Sequence, residues 1–319
     1  MRLAVFLNPG VDLGVAIGLA RRADALGYDS VWVTHGSGRD ALLTLSAYAH
    51  AAPRAGLGTG VIPIYPRHPV LLAQEALTLA DISGGRLRLG VGVSHRPSMV
   101  NGLGLDMGRP LEAMREYVHV LRGALTGKVE HAGARYRATW QSGLPRLPAP
   151  PPILLAGLGP KMLELAGEIA DGAVLWLCSP GYIRAVALPA IRRGRERAGR
   201  SMDDFEIVAA VPAALTVDRG PAVTLFKGEL TRYLALPFYR SMLQQSGFSA
   251  EIATYDRAPG PAAVPDRLAG ALGAIGDFRA ISDAVAAHRD AGVTLPAIRP
   301  IAFPDAPHYL PTMEAAIGS

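Results

Sequence analysis

Short runs of β-branched and aliphatic residues alternate along this chain with longer stretches in which apolar residues recur every three or four positions. Gly, Pro or Asn stands at most of the joins. A continuous apolar run followed by helical spacing is the mark of a βα unit on a buried parallel sheet. Strand-like runs fall at 3–7, 30–33, 56–61, 87–93, 153–156, 173–177, 207–211 and 295–301. Helical spacing fills 15–26, 42–51, 69–82, 111–125, 162–170 and 183–198. Eight such units in series close most economically into an α/β fold of the (β/α)8 TIM barrel type, although an open doubly wound sheet can be built from the same parts. The chain is read as a single barrel domain over 1–319. Two stretches exceed a minimal barrel: 128–152, after the fourth helix, and 244–265, after the seventh strand, both rich in Gly and Pro and both expected to build pocket walls or contacts. The apolar Phe238, Tyr239, Met242 and Phe248 around the second predict a largely hydrophobic wall.

Composition narrows the class. Half of the residues are hydrophobic and only 18% are charged, so a large core is available and a disordered chain is excluded. The formal net charge of +5 invites a polyanionic partner, but the densest basic run (Arg192, Arg193, Arg195, Arg197 and Arg200) carries no interleaved aromatics. It reads as the wet face of a helix, and no nucleic-acid partner is expected. One cysteine, Cys178, rules out an internal disulfide and any multi-cysteine metal site. It reads as a small apolar residue near the pocket. The apolar start of the chain is cut short by Asn8, Pro9, Gly10 and Asp12, which favours a buried first strand over a signal peptide. With charges and prolines breaking every long apolar stretch, a cytoplasmic protein without a membrane partner is the expectation.

In a barrel the chemistry sits just beyond the strand C-termini. After the second strand comes Thr34-His35-Gly36, where His35 suits proton transfer near neutrality or merely satisfies a loop carbonyl. Gly58 and Gly60 end the third strand and permit a bulge, with Pro69 opening the next helix and Arg67 and His68 as rim residues. Gly90 and Gly92 clear the interior at the fourth strand, leaving Ser94 and His95 at the mouth. After the fifth, Ala156-Gly157-Leu158-Gly159-Pro160-Lys161 runs into a helix; free N–H groups, close backbone approach and the Lys161 charge together suit a phosphate, while an ordinary helix-starting turn fits the same residues. The histidines are scattered, so no metal site is expected.

Four stretches carry a family likeness: 27–33 (Gly-Tyr-Asp-Ser-Val-Trp-Val), 57–61 with Arg67-His68-Pro69, 83–92 (Ser-Gly-Gly-Arg-Leu-Arg-Leu-Gly-Val-Gly), and 156–162 with 165–172. In order and spacing the chain resembles the bacterial luciferase-like superfamily, and within it the oxidoreductases that use the deazaflavin coenzyme F420. The resemblance implies a TIM barrel with the cofactor ring across its mouth and a cis peptide at Gly60-Val61. It implies cofactor contacts at Thr59, Gly60, Val61, Ser94, Ala156, Gly157, Leu158, Gly159 and Lys161, with His35 and His95 as the catalytic candidates. Thr34 stands where many relatives carry an acidic residue. The activity implied is hydride transfer between the reduced deazaflavin and an enoyl, imine or carbonyl substrate, in a homodimer. A flavin mononucleotide (FMN) monooxygenase and a non-catalytic cofactor-binding barrel are the alternatives.

Overall fold

In a computed structural model of the chain, residues 2–10, 12–144, 148–301 and 309–318 are described. Eight parallel strands pair in a closed ring: Ala4–Phe6, Ser30–Val33, Gly56–Thr59, Leu87–Gly92, Ile153–Ala156, Gly172–Leu175, Glu206–Leu215 and Leu295–Pro300, the last pairing back onto the first. The fold is therefore a (β/α)8 barrel, and the open sheet is excluded. Two strands, Ser30–Val33 and Ile153–Ala156, and one helix, Pro69–Ile82, have the limits their sequence pattern predicts.

Period-two alternation sorts each strand's side chains into two cores. One set points inward, among them Phe6, Trp32, Leu154, Val174, Val208 and Leu295, and fills the barrel. The other set, including Val5, Val31, Leu57, Leu89 and Leu155, packs under the helices. Phe6 and Trp32 lie 5.9 Å apart between ring centroids, and their bulk explains two glycines. A Cβ on Gly58 would sit 2.2 Å from Trp32 Cδ2, and one on Gly60 would sit 2.4 Å from Phe6 Cε1. The interior plug is thus an interlock of large rings with missing side chains.

The first excursion is an antiparallel hairpin, Lys128–Ala132 against Arg137–Gln141, followed by a coil of which 145–147 lie outside the described residues. The second contains the helix Ser249–Asp256 and the short helical turn Pro261–Ala263.

Two expectations need correction. The arginine run is not a wholly wet face: Arg195 is 1% exposed, its guanidinium donating to Ser201 O and Asp204. Arg193 and Arg197 reach Glu164, and Arg200 reaches Asp171. Periodicity cannot see that the loop after the helix folds back over one of its polar positions. The stretch 183–198 is also not one regular helix, since it opens with a π turn, Ile183–Ala187, before Leu188–Arg197. Pro189 has no N–H for the ladder and its ring crowds the preceding turn, which widens the helix there.

Candidate active site

Three consecutive loops converge at the C-terminal mouth of the barrel. The Gly60-Val61 peptide is cis, as the family likeness implies. Thr59 holds that bulge to the neighbouring strand, because its buried hydroxyl donates to Gly90 O at 2.8 Å and accepts from Gly90 N at 2.8 Å. The Thr59 side chain is therefore committed within the barrel wall. A Cβ on Gly92 would lie 2.7 Å from Val61 Cγ2 and 3.2 Å from Ala156 Cβ, so the side chains of Val61 and Ala156 fill the space that the buried Gly92 leaves. Gly60, Val61 and Ala156 are themselves half-exposed at the mouth.

Beyond Ala156 the chain turns through Gly157, Leu158 and Gly159 into the helix Pro160–Ile169. Among the described residues no side chain caps that helix, and a Cβ on Gly159 would meet nothing within 4 Å. Gly157 is tighter: a Cβ there would press on Met162 Cγ at 3.2 Å. The Leu158 carbonyl accepts from the buried Tyr182 hydroxyl at 2.5 Å, which fixes the loop from behind. Lys161 lies exposed on the first turn.

Two non-glycine residues hold left-handed backbone, Ser94 at φ 59° and Leu177 at φ 55°. Both stand just past strand ends at this mouth, where such conformations commonly mark a site. Beside Ser94, the His95 ring packs edge-on to Tyr239 at 5.7 Å and Tyr233 at 6.4 Å. Tyr233 and Tyr239 themselves are 4.7 Å apart, and Trp176 adds a further ring 5.8 Å from Tyr233. Arg299 lies over Trp176 at 5.4 Å with both guanidinium ends on Glu229, at 2.6 and 2.7 Å. Burial among these rings lowers the His95 pKa and keeps the imidazole uncharged near neutrality.

His35, across the mouth, meets two donors. Ala41 N–H is directed at Nδ1 at 3.3 Å, and Arg67 Nη1 is 3.4 Å from Nε2. Burial first, and then the Arg67 charge, lower the His35 pKa against the opposing pull of Asp40. Both histidines are thus poised as uncharged groups.

The sequence pattern locates His35, His95, Ser94, Val61 and the 156–161 loop at one end of the barrel. It misses Asp40, Glu75, Tyr233, Glu229 and Arg299, and it sets Arg67 aside as a rim residue. His68, its companion, caps the helix Pro69–Ile82 by accepting Val70 N–H. Of the apolar wall expected before 244–265, Tyr239, Met242 and Phe248 are buried, but Phe238 faces solvent at 76% exposure. Cys178 is buried, and burial pushes its thiol up to about 12, which leaves it inert. Among the described residues, no group of three His, Cys, Asp or Glu could hold a metal ion, and no helix is long and apolar enough to cross a membrane.

Comparison with known proteins completes the picture. A provisionally named coenzyme F420-dependent oxidoreductase of Mycobacterium tuberculosis is 30% identical over 337 residues, covering 91% of this chain and 95% of that protein. The 5,10-methylenetetrahydromethanopterin reductase of Methanolobus tindarius is 32% identical over 212 residues, 64% of this chain and 61% of its own length. The solved coenzyme F420-dependent tetrahydromethanopterin reductase of Methanopyrus kandleri shares the fold at a TM-score of 0.85, with 24% identity over 99% of this chain and 97% of that one. The model of the luciferase-like monooxygenase family matches residues 1–295, and this chain belongs to that family.

Proposed function

We propose that the chain is a coenzyme F420-dependent oxidoreductase that moves a hydride between the reduced deazaflavin and an unsaturated small organic substrate: an enoyl, imine or carbonyl compound. The observation that carries this reading is the group of half-exposed Gly60, Val61 and Ala156 packed together at the mouth over the buried Gly92, in a chain 30% identical to a protein provisionally named for that coenzyme. The residues present fit such a group. A flat ring needs backbone approached without side chains, which the missing Cβ of Gly159 allows, and its phosphate needs unpaired N–H groups near positive charge. The uncapped start of Pro160–Ile169 and Lys161 provide the second.

When bound, the deazaflavin supplies the hydride carbon, and the protein supplies position and proton management. Val61 and Ala156 would support the ring, Gly157, Leu158 and Gly159 would take its edge, and Lys161 would take the phosphate. Ser94 would sit beside the ring at the end of the fourth strand. An uncharged His35 accepts the proton released by a hydroxyl or amine when that substrate is oxidised, and returns it in the reverse direction. His95 and the rings of Trp176, Tyr233 and Tyr239 exclude water from the opposite wall.

Titration with oxidised deazaflavin coenzyme and, in parallel, with FMN tests the reading. Selective deazaflavin binding, weakened about tenfold or more in Lys161→Ala, is the expected result, a loss of about 1.4 kcal/mol. Preference for FMN would shift the assignment to a monooxygenase. Binding of reduced coenzyme without its oxidation by any enone, imine or ketone would leave a carrier protein.

A further inference from the structure

Arg67 is spent in three directions at once. From the loop before the helix Pro69–Ile82, its Nη2 donates to Asp40 Oδ2, its Nε lies 3.3 Å from Glu75 Oε2, and its Nη1 faces His35 Nε2 at 3.4 Å. Asp40 is pinned in turn, because its Oδ1 caps the helix Ala41–Ala51 by accepting from Leu42 N at 2.9 Å and Leu43 N at 3.0 Å. The guanidinium therefore has one place to be, and its side chain is only 19% exposed.

We propose that Arg67 is a positioning residue for His35: anchored on Asp40 and Glu75, it holds a positive charge against the imidazole and keeps that ring uncharged as a proton acceptor. The geometry argues this directly. Two donors, Ala41 N–H and Arg67, are directed at the ring nitrogens; a neutral imidazole has one nitrogen free to accept, and an imidazolium has none. The groups of opposite sign facing this corner are Asp40, whose Oδ2 is 3.6 Å from Nδ1, and Glu75 on the far side of Arg67. Asp40 favours the cation, but it shares that same oxygen with Arg67, which blunts its pull. The arrangement rests on the proposed function only in what the proton is used for.

Its test is the titration of the His35 ring protons by NMR, assigned by their loss in His35→Gln and compared between the wild-type protein, Arg67→Met and Arg67→Lys. The His35 midpoint is expected to move up in Arg67→Met and to stay close to the wild-type value in Arg67→Lys, which retains the charge. An unchanged or lower midpoint in folded Arg67→Met overturns the proposal. Arg67→Gln, which can still donate toward Nε2 but carries no charge, separates charge from hydrogen bonding: the midpoint should move up there as in Arg67→Met, and a midpoint held at the wild-type value overturns the proposal. The acid limb of kcat/KM for oxidation of the organic substrate is then followed in the same variants. A limb that moves with the NMR midpoint ties His35 to the reaction. A midpoint that moves while the limb stays still keeps the positioning role and refutes the catalytic one.

Discussion

The two ends of the barrel are built on opposite electrostatic principles. At the N-terminal end, Arg2, Asp29, Arg88 and Glu206 alternate in a closed ring: Arg2 reaches Asp29 at 2.8 Å and Glu206 at 2.5 Å, and Arg88 reaches Asp29 at 3.1 Å and Glu206 at 2.9 Å. Every charge there has two partners of opposite sign. At the C-terminal end the titratable rings of His35 and His95 are kept uncharged, two non-glycine residues hold left-handed backbone, and a buried indole N–H has no hydrogen-bond partner among the described residues. The four-residue ring at one end pairs its own charges and closes the barrel; the other end leaves capacity for a ligand. Stability and chemistry should therefore separate along the barrel axis.

The widest separation is expected from His35→Ala. Loss of a positioned proton acceptor should lower kcat/KM by about 100-fold or more, while the thermal midpoint falls far less, since the ring belongs to a loop outside the barrel core. A large fall in stability with activity kept would invert the comparison. At the opposite end, Arg88→Met should cost about 1–2 kcal/mol, because Asp29 and Glu206 each lose one of two partners in a ring that remains partly exposed. Denaturant unfolding should report that loss with steady-state kinetics unchanged.

Acid titration of stability separates the same two ends. The His35 and His95 pKa values lie below the ordinary 6.5, so the unfolded chain binds protons that the folded one refuses, and stability declines as pH falls through that region. The buried His288, also lowered by its burial, contributes to the same step. For Asp29, burial pushes the carboxyl up, but the bond from Arg2 and the fields of Arg88 and Arg2 outweigh it and hold it below 3.8. Its contribution is complete above that value and is lost as pH falls further. Stability should thus drop in two stages, with His95→Gln reducing the upper and Arg88→Met the lower. A single acid step in both variants would contradict the division.

How much of this was legible in the chain follows from what kind of signal each feature leaves. Ser30–Val33 and Ile153–Ala156 are bounded because a buried parallel strand is a local apolar run with breakers on either side. Pro69 announces the start of its helix for an equally local reason, its fixed φ and missing N–H. Glycines at 58, 60, 90 and 92 are visible as residues, but the rings that require two of them, Trp32 and Phe6, come from other strands. The cluster of His35, Asp40, Arg67 and Glu75 leaves no periodic trace, since its members come from three segments and meet only when the barrel closes. Phe238 and Tyr239 show the finest limit: adjacent apolar residues on one helix face solvent and core respectively, a rotation of about 100° that composition cannot resolve.

The smallest effect is the most discriminating. Trp32 and Trp176 both belong to the barrel's interior, yet Trp32 Nε1–H donates to Ser30 Oγ at 2.9 Å, while Trp176 Nε1–H is buried and makes no hydrogen bond among the described residues. The Tyr233 hydroxyl lies close enough to feel that N–H, but not in a bonding geometry. Leaving a buried donor unmade costs about 1–3 kcal/mol in general, less where a neighbouring dipole partly compensates. Trp176→Phe removes the orphan and keeps most of the ring, so the free protein should gain up to about 1 kcal/mol or hold level. Trp32→Phe, which removes one of the two hydrogen bonds of Ser30 Oγ and leaves a gap beside Phe6 in the interior, should lose stability. If the Trp176 N–H is reserved for a molecule at the mouth, the same variant should also lose part of the stabilisation that added coenzyme or substrate gives the parent. A Trp176→Phe protein that is less stable alone and equally stabilised by ligand would mean that the indole is ordinary packing, and that the upper end is less open than its unpaired group implies.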